Sequence, residues 1–240
     1  MDAHDQKGKP GLNSPLWCAD APVTKWQERF PLLAAQPGVP PPELPVPGLV
    51  VEQGQLVLRS TDGSPSWRPE PVFARKVSAK SLLARAAGFS FGTSIEILDA
   101  MAGWGSDGLE LCALGAVVDL VELSPVVHAL LVERAEHSAL APRSIRCADS
   151  WAVIAEGQWD VILLDPMFPE RGRKGLAKKP MQLLQQLAIQ GERDLEAWIA
   201  QASEHARHRV VLKRRRTEAV AGKPAWQIEG TTIRFDVYRP

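Results

Sequence analysis

The 240-residue chain has little of several things that would assign it quickly. It has no apolar run of membrane-spanning length; runs such as Val161 to Leu164 are soon interrupted by charge. The opening residues, MDAHDQKGKPGLNS, are polar and lack the apolar stretch of a secretory signal. No membrane partner and a cytoplasmic location are therefore expected. Cysteine is scarce: Cys18, Cys112 and Cys147 are the three, and no CxxC spacing occurs. Three cannot all pair, so reduced thiols acting as small buried groups are expected. The five histidines form no ligand set. His205 and His208 can share a helix face but have no third ligand nearby, so no metal is expected. Net charge is zero, with 28 basic and 28 acidic side chains. That argues against a protein that coats nucleic acid non-specifically. No internal repeat is visible.

What is present is a globular composition, 45% hydrophobic and 23% charged. The length suits one large α/β domain with a smaller appendage. Residues 37–48, PGVPPPELPVPG, hold six prolines and exclude a regular helix or a central strand. Two strand-like runs follow, 49–52 and 55–59, around Gln53-Gly54, which predicts a hairpin. Residues 1–70 thus read as a Pro-rich, partly β N-terminal region, and 71–240 as the main domain.

From about residue 75 the pattern changes. A helix is predicted over 76–87, and then strands and helices alternate. Strands fall at 94–100, 117–123, 145–148, 160–164, 209–213 and 232–238. Helices fall at 107–114, ended by Gly115, at 125–137 with Ser124 as cap, at 183–190 and at 194–205. Such alternation predicts a mainly parallel sheet covered on both faces.

In an open α/β sheet, ligands bind at the carboxyl ends of the strands. The first such loop reads ILDAMAGWGSDG. Asp99 ends the strand, and Gly103 and Gly105 let the backbone turn tightly and approach a ligand. GWGSDG also satisfies the dinucleotide fingerprint G-x-G-x-x-G, which alone is weak. The loop is longer than a dehydrogenase turn, and Asp107 sits where a helix N-terminus would cradle a pyrophosphate. A carboxylate there repels phosphate but suits S-adenosylmethionine, whose amino and sulfonium groups are cationic. Glu122 ends the second strand, 23 residues after Asp99, near the spacing of an acid that accepts ribose hydroxyls. Leu123 would pack beside the adenine, and Asp149, with Ser150 after it, is placed to meet the adenine amino group.

The strand WDVILLDPMFPE ends in Asp165-Pro166-Met167-Phe168-Pro169, a loop clamped by two prolines. Phe168 can stack on an unpaired base. An exocyclic amino group is a poor nucleophile because its lone pair is delocalised into the ring. Hydrogen bonds to Asp165 and the Pro166 carbonyl would localise that pair and aim it. Asp165 or water would then take the amino proton.

DAMAGWGSDG, VELSPVVHALL, LLDPMFPE, AKKPMQ, RVVLKR and IRFDVY occur in this order over about residues 70–240. Together they closely resemble the ribosomal RNA small-subunit methyltransferase J family. The resemblance implies a Rossmann-like class I methyltransferase fold with a mainly parallel seven-stranded sheet. It implies methyl transfer from S-adenosylmethionine to N2 of a guanine in small-subunit ribosomal RNA, free or in the assembled subunit. It carries Ser106 and Asp107, Glu122 and Leu123, Asp149 and Ser150, and Asp165 over as cofactor contacts. The chain departs from the family's pattern at 75–81, where RKVSAKS replaces a glycine-rich stretch.

Arg171, Arg173, Lys174, Lys178 and Lys179 follow the DPMFP loop and would hold RNA phosphates. Lys213 and Arg214 end a strand on the same edge and are expected to join them. A monomer is expected. Three other readings stand beside this one. They are methylation of another exocyclic or amide nitrogen, an NAD-dependent oxidoreductase supported by GWGSDG alone, and a non-catalytic RNA-binding protein.

Overall fold

Leu16 and Cys18 are buried in the first strand, β1 (Pro15–Cys18), while Pro15 and Trp17 stay half-buried, the period-2 signature of a sheet with one packed face. A short helix, α1 (Val23–Arg29), follows, then β2 (Ala34–Pro37), β3 (Gly48–Glu52) and β4 (Gln55–Arg59). The computed structural model describes residues 15–39, 48–59, 67–73, 77–138, 141–166, 179–187 (backbone alone at 179–181) and 194–240. These fall into two compact units. One holds the described residues up to Glu70, with 124–134 and 179–187; the other holds those in 71–123, 135–166 and 194–240.

In the first unit the sheet order is β2-β1-β3-β4. β1 runs parallel to β2 and β3, and β3–β4 is the predicted hairpin. Its turn puts Gln53 and Gly54 at φ 52° and 71°, the left-handed pair that matches strand twist. The Gln53 amide donates to Asp20 Oδ2 at 2.7 Å, which holds this strained residue in place. Trp26, Phe30 and Leu33 are buried with Leu49, Val50, Leu56 and Leu58. The segment 15–37 is not legible as strand–helix–strand, because its elements are only four, seven and four residues long and proline borders each of them. Most of the Pro-rich stretch, 40–47, lies outside the described residues.

The second unit is built around seven strands. In chain order the remaining elements are α2 (Leu82–Ala87), β5 (Glu96–Asp99), α3 (Ser106–Leu114), β6 (Val117–Glu122), α4 (Pro125–Glu136), β7 (Ser144–Cys147), α5 (Ser150–Glu156), β8 (Trp159–Leu164), α6 (Lys179–Leu187), α7 (Leu195–His205), β9 (Ala206–Arg215), β10 (Trp226–Glu229) and β11 (Ile233–Tyr238); of these, most of α4 and all of α6 group with the first unit and the rest with the second. The strand order is β10-β11-β9-β8-β5-β6-β7. The pairs from β7 across to β9 are parallel, and β11 lies antiparallel between β9 and β10. This is the Rossmann-like sheet that was expected. The order reverses between β5 and β8, the switch point where such sheets open a ligand crevice.

Side-chain alternation assigns the faces. Leu98, Ile162, Leu164, Val210 and Leu212 share a core with Val153 and Ile154 of α5 and Trp198 and Ala202 of α7. Residues of opposite parity face α3: Asp99 and Leu120 both abut Gly108. Helix α2 is shorter than predicted because Ser81 caps it, its hydroxyl accepting from the Ala84 amide at 3.1 Å. Helix α5 was not foreseen. No helix among the described residues is long and apolar enough to cross a membrane.

Candidate active site at the carboxyl edge of the sheet

Three adjacent parallel strands deliver their side chains to one place. Asp99 pairs in register with Leu163 of β8, and Leu163 with Val211 of β9. Two residues on, period-2 alternation brings Asp165 and Lys213 to the same face and the same level. That face is the one α3 covers, and Asp107 occupies its first turn. The result is a compact constellation. Lys213 Nζ donates to Asp107 Oδ2 at 2.7 Å and lies 3.0 Å from Asp165 Oδ2.

The glycine turn is tied to both neighbouring strands. The Ala100 amide donates to the Leu163 carbonyl at 3.1 Å and the Ala102 amide to the Val121 carbonyl at 2.9 Å. Gly103 and Gly105 have φ of 53° and 70°, a region costly for any side chain. The Gly103 amide donates to Glu122 Oε2 at 3.0 Å, which orients that acid at the end of β6. The Gly108 amide donates to Asp99 Oδ2 at 3.1 Å. Gly108 also has no room for a side chain, since a Cβ there would lie 2.3 Å from Leu120 Cδ2. It was absent from the expected site residues, although GWGSDG contains it.

Electrostatics separates the acids. Asp99 is 3% exposed. Burial first, and then the charges of Asp107 and Asp165, push its pKa to about 7, against the pull of Lys213. Asp165 keeps 44% of its side-chain surface, so its carboxylate reaches the surface rather than the core. Crowding by the surrounding protein still raises its pKa, Lys213 opposes the rise, and Asp107 adds to it. Burial disfavours the Lys213 ammonium, but Asp107 and Asp165 outweigh that and hold it charged.

The remaining expected residues are distributed as follows. Ser106 opens α3 and is exposed; Leu123, just past β6, and Pro166, just past β8, are half-buried. Asp149 is the cap of α5, Oδ1 accepting from the Trp151 amide at 3.0 Å. That bond explains the missed helix: an acid read as a ligand is also a helix start. Ser150 is buried, and its hydroxyl donates to the Ala100 carbonyl, so it braces the turn after β5. Lys213 and Arg214 do not form the expected RNA-facing pair. Lys213 is held between two acids, and Arg214 is 8% exposed and pairs with Glu218 at 3.0 Å. Strand alternation sends them to opposite faces, which a run of basic letters conceals. Phe168, Arg171, Arg173, Lys174 and Lys178 lie outside the described residues, as does the side chain of Lys179.

The donor set fits S-adenosylmethionine. Asp99, Asp107 and Glu122 surround a turn whose Gly103 amide is already engaged, an arrangement that attracts a cationic ligand with hydroxyls and repels a pyrophosphate. The comparisons agree. A family model described as putative SAM-dependent methyltransferase matches residues 72–240. The ribosomal RNA small subunit methyltransferase J of Alkalilimnicola ehrlichii is 39% identical over 226 aligned positions, covering 83% of this chain and 84% of that protein. The protein of the same name from Pseudomonas aeruginosa is 34% identical, covering 92% and 90%. Among solved structures, a SAM-dependent methyltransferase from Neisseria gonorrhoeae superimposes with a TM-score of 0.70 at 26% identity, covering 95% of this chain and 96% of that one. The chain is thus an S-adenosylmethionine-dependent methyltransferase, and it belongs to the ribosomal RNA small subunit methyltransferase J family.

Proposed function

We propose that this enzyme methylates the exocyclic N2 of a guanine in small-subunit (16S) ribosomal RNA, as free RNA or in the assembled subunit. The observation that carries the reading is Asp165-Pro166 at the end of β8. It offers a carboxylate and a backbone carbonyl beside the cofactor-side acids Asp99 and Asp107. The names of the relatives support ribosomal RNA as the substrate class.

S-adenosylmethionine supplies an electrophilic methyl group on a sulfonium. Asp99 and Asp107 would hold its cationic amino end and Glu122 its ribose hydroxyls. Gly103, Gly105 and Ser106 would line the turn, and Leu123 and Asp149 the adenine. Ser150 would act by fixing the turn at Ala100. Asp165 and the Pro166 carbonyl would accept the two N–H groups of the base amine, which localises its lone pair and aims it. The gain comes from positioning and electrostatics, with no covalent enzyme intermediate. Asp165 or water takes the proton that becomes acidic on transfer. Phe168 would stack on the base, and Arg171, Arg173, Lys174, Lys178 and Lys179 would hold phosphates. We further propose a cytoplasmic monomer in which 71–240 is the catalytic domain and 1–70 an accessory region.

The test is mass-spectrometric mapping of ribosomal RNA from a deletion strain. One N2-methylguanine of the small subunit should disappear and return when purified enzyme and methyl donor are added. Intact methylation at every guanine, or loss of a methyl from another base, would overturn the reading.

A further inference from the structure

Lys213 stands between two acids that serve different partners. Asp107 belongs to the cofactor side, in the first turn of α3, and Asp165 to the side of the base, just past β8. Lys213 Nζ reaches both, at 2.7 and 3.0 Å, from a side chain that is 24% exposed. An ammonium shared by two carboxylates at these distances has little charge left to offer an RNA phosphate.

We propose that Lys213 is a positioning residue for methyl transfer, its ammonium tying the cofactor-side carboxylate of Asp107 to Asp165 and fixing Asp165 as acceptor for the base amine. This rests on the reading of Asp165 as that acceptor. The ion pair uses Asp165 Oδ2, and Oδ1 is the other acceptor the carboxylate offers. A carboxylate pinned through one oxygen has lost the rotation that would spoil its aim.

The neighbours explain why a cation is needed. Asp165 faces Lys213 from β9, Asp107 from α3, Asp99 from β5 and Glu218 beyond β9. Arg214 offsets Glu218, which leaves Asp107 and Asp99 opposed by the one ammonium, a setting in which Asp165 protonates readily once the ammonium is gone. A protonated Asp165 has one oxygen turned into a donor and cannot take the proton released by the base. Lys213 therefore acts on the reaction through Asp165, without touching the substrate.

The experiment uses the full chain with S-adenosylhomocysteine bound and follows aspartate carboxyl carbons by NMR as pH is varied. In Lys213→Met, Asp165 should titrate about one pH unit or more higher than in the wild type. Asp119, away from the site, serves as an internal control and should titrate alike in both proteins. Turnover on small-subunit RNA should show the acid limb of kcat moving up by the same amount. At the optimum, kcat should be down about 100-fold while S-adenosylhomocysteine Kd changes less than tenfold. Lys213→Arg, which keeps the charge, should keep the wild-type limb and recover most of kcat; it also serves if the methionine variant does not fold. An unmoved Asp165 titration in Lys213→Met would overturn the proposal. So would Lys213→Arg losing kcat as fully as Lys213→Met with both limbs unmoved, which would reduce Lys213 to scaffolding. If the wild type binds S-adenosylhomocysteine but methylates no ribosomal RNA, the substrate reading fails instead, and the carboxyl titration still decides the role of Lys213.

Discussion

The Gly103 amide donates to Glu122 Oε2 at 3.0 Å, so the turn after β5 and the acid that ends β6 hold each other in place. Glu122→Ala should weaken S-adenosylhomocysteine binding by about 10- to 100-fold, the loss expected for hydrogen bonds to a buried charge. Glu122→Gln keeps an acceptor for Gly103 and should lose less. Titration calorimetry measures both, and an unchanged Kd in the alanine variant would leave Glu122 as a brace alone.

Gly108 is a second place where the site depends on missing atoms. A Cβ there would meet Leu120 Cδ2 at 2.3 Å and Asp99 Oδ2 at 2.8 Å, and both side chains are buried. Gly108→Ala should cost about 1–3 kcal/mol by overpacking. Because Asp99 must shift, cofactor affinity should fall too. Denaturant unfolding and a binding titration on the same sample test the pair of effects.

Asp165→Asn preserves shape but removes the charge that Lys213 faces and the base that takes the proton. Methyl transfer should drop about 100- to 1,000-fold, with S-adenosylhomocysteine binding changed only a few-fold. Single-turnover kinetics with bound cofactor isolates this step. Activity within tenfold of wild type would remove Asp165 from its assigned role.

Away from the site, Asp119 sets an acid limit on stability. Burial works against its charge, but hydrogen bonds from Arg143, Ser144 and Trp159 outweigh that and hold its pKa at about 2. The pKa is lower folded than unfolded. The stabilisation is therefore full above the ordinary carboxylate range and is lost as pH falls from about 4 towards about 2. Its size at neutral pH is about 2 kcal/mol. Asp119→Asn should lower the denaturant midpoint at neutral pH and leave a flatter curve on the acid side.

Arg234 pairs with Asp236 through Nε at 2.8 Å, and both are buried. Its Nη1 donates to the carbonyls of Arg215, Arg216 and Glu218 at 3.2, 2.9 and 2.8 Å, gathering the turn beyond β9 around one guanidinium. Arg234→Met leaves Asp236 as an uncompensated buried charge and should cost about 3–5 kcal/mol. Lysine should not rescue it, having no fork to reach several carbonyls. Thermal unfolding of the two variants gives the comparison.

The sequence made the central strands legible because each is an apolar run stopped by glycine, proline or an acid. It made the cofactor edge legible because Asp99, Glu122 and Asp165 all stand where a strand ends. β10 was hidden: Trp226 to Glu229 alternates half-buried with exposed, and four residues at an edge give little pattern. The surroundings of Lys213 are hidden in the sequence for a different reason. Lys213 to Arg216 looks like a charged surface run, yet strand geometry sends Lys213 towards α3, buries Arg214 and leaves Arg215 exposed. Register decides that, and register depends on partners far away in sequence.

The antiparallel insertion of β11 between β9 and β10 has a consequence for assembly. β10 is made first but joins the sheet only through β11. Without residues 233–238, β9 would present a bare hydrogen-bonding edge, the kind of surface on which incompletely folded chains aggregate. The same six residues bring Arg234 to the turn beyond β9. A chain cut short before them would therefore have one flank of the sheet unclosed and the turn beyond β9 without the guanidinium that gathers it.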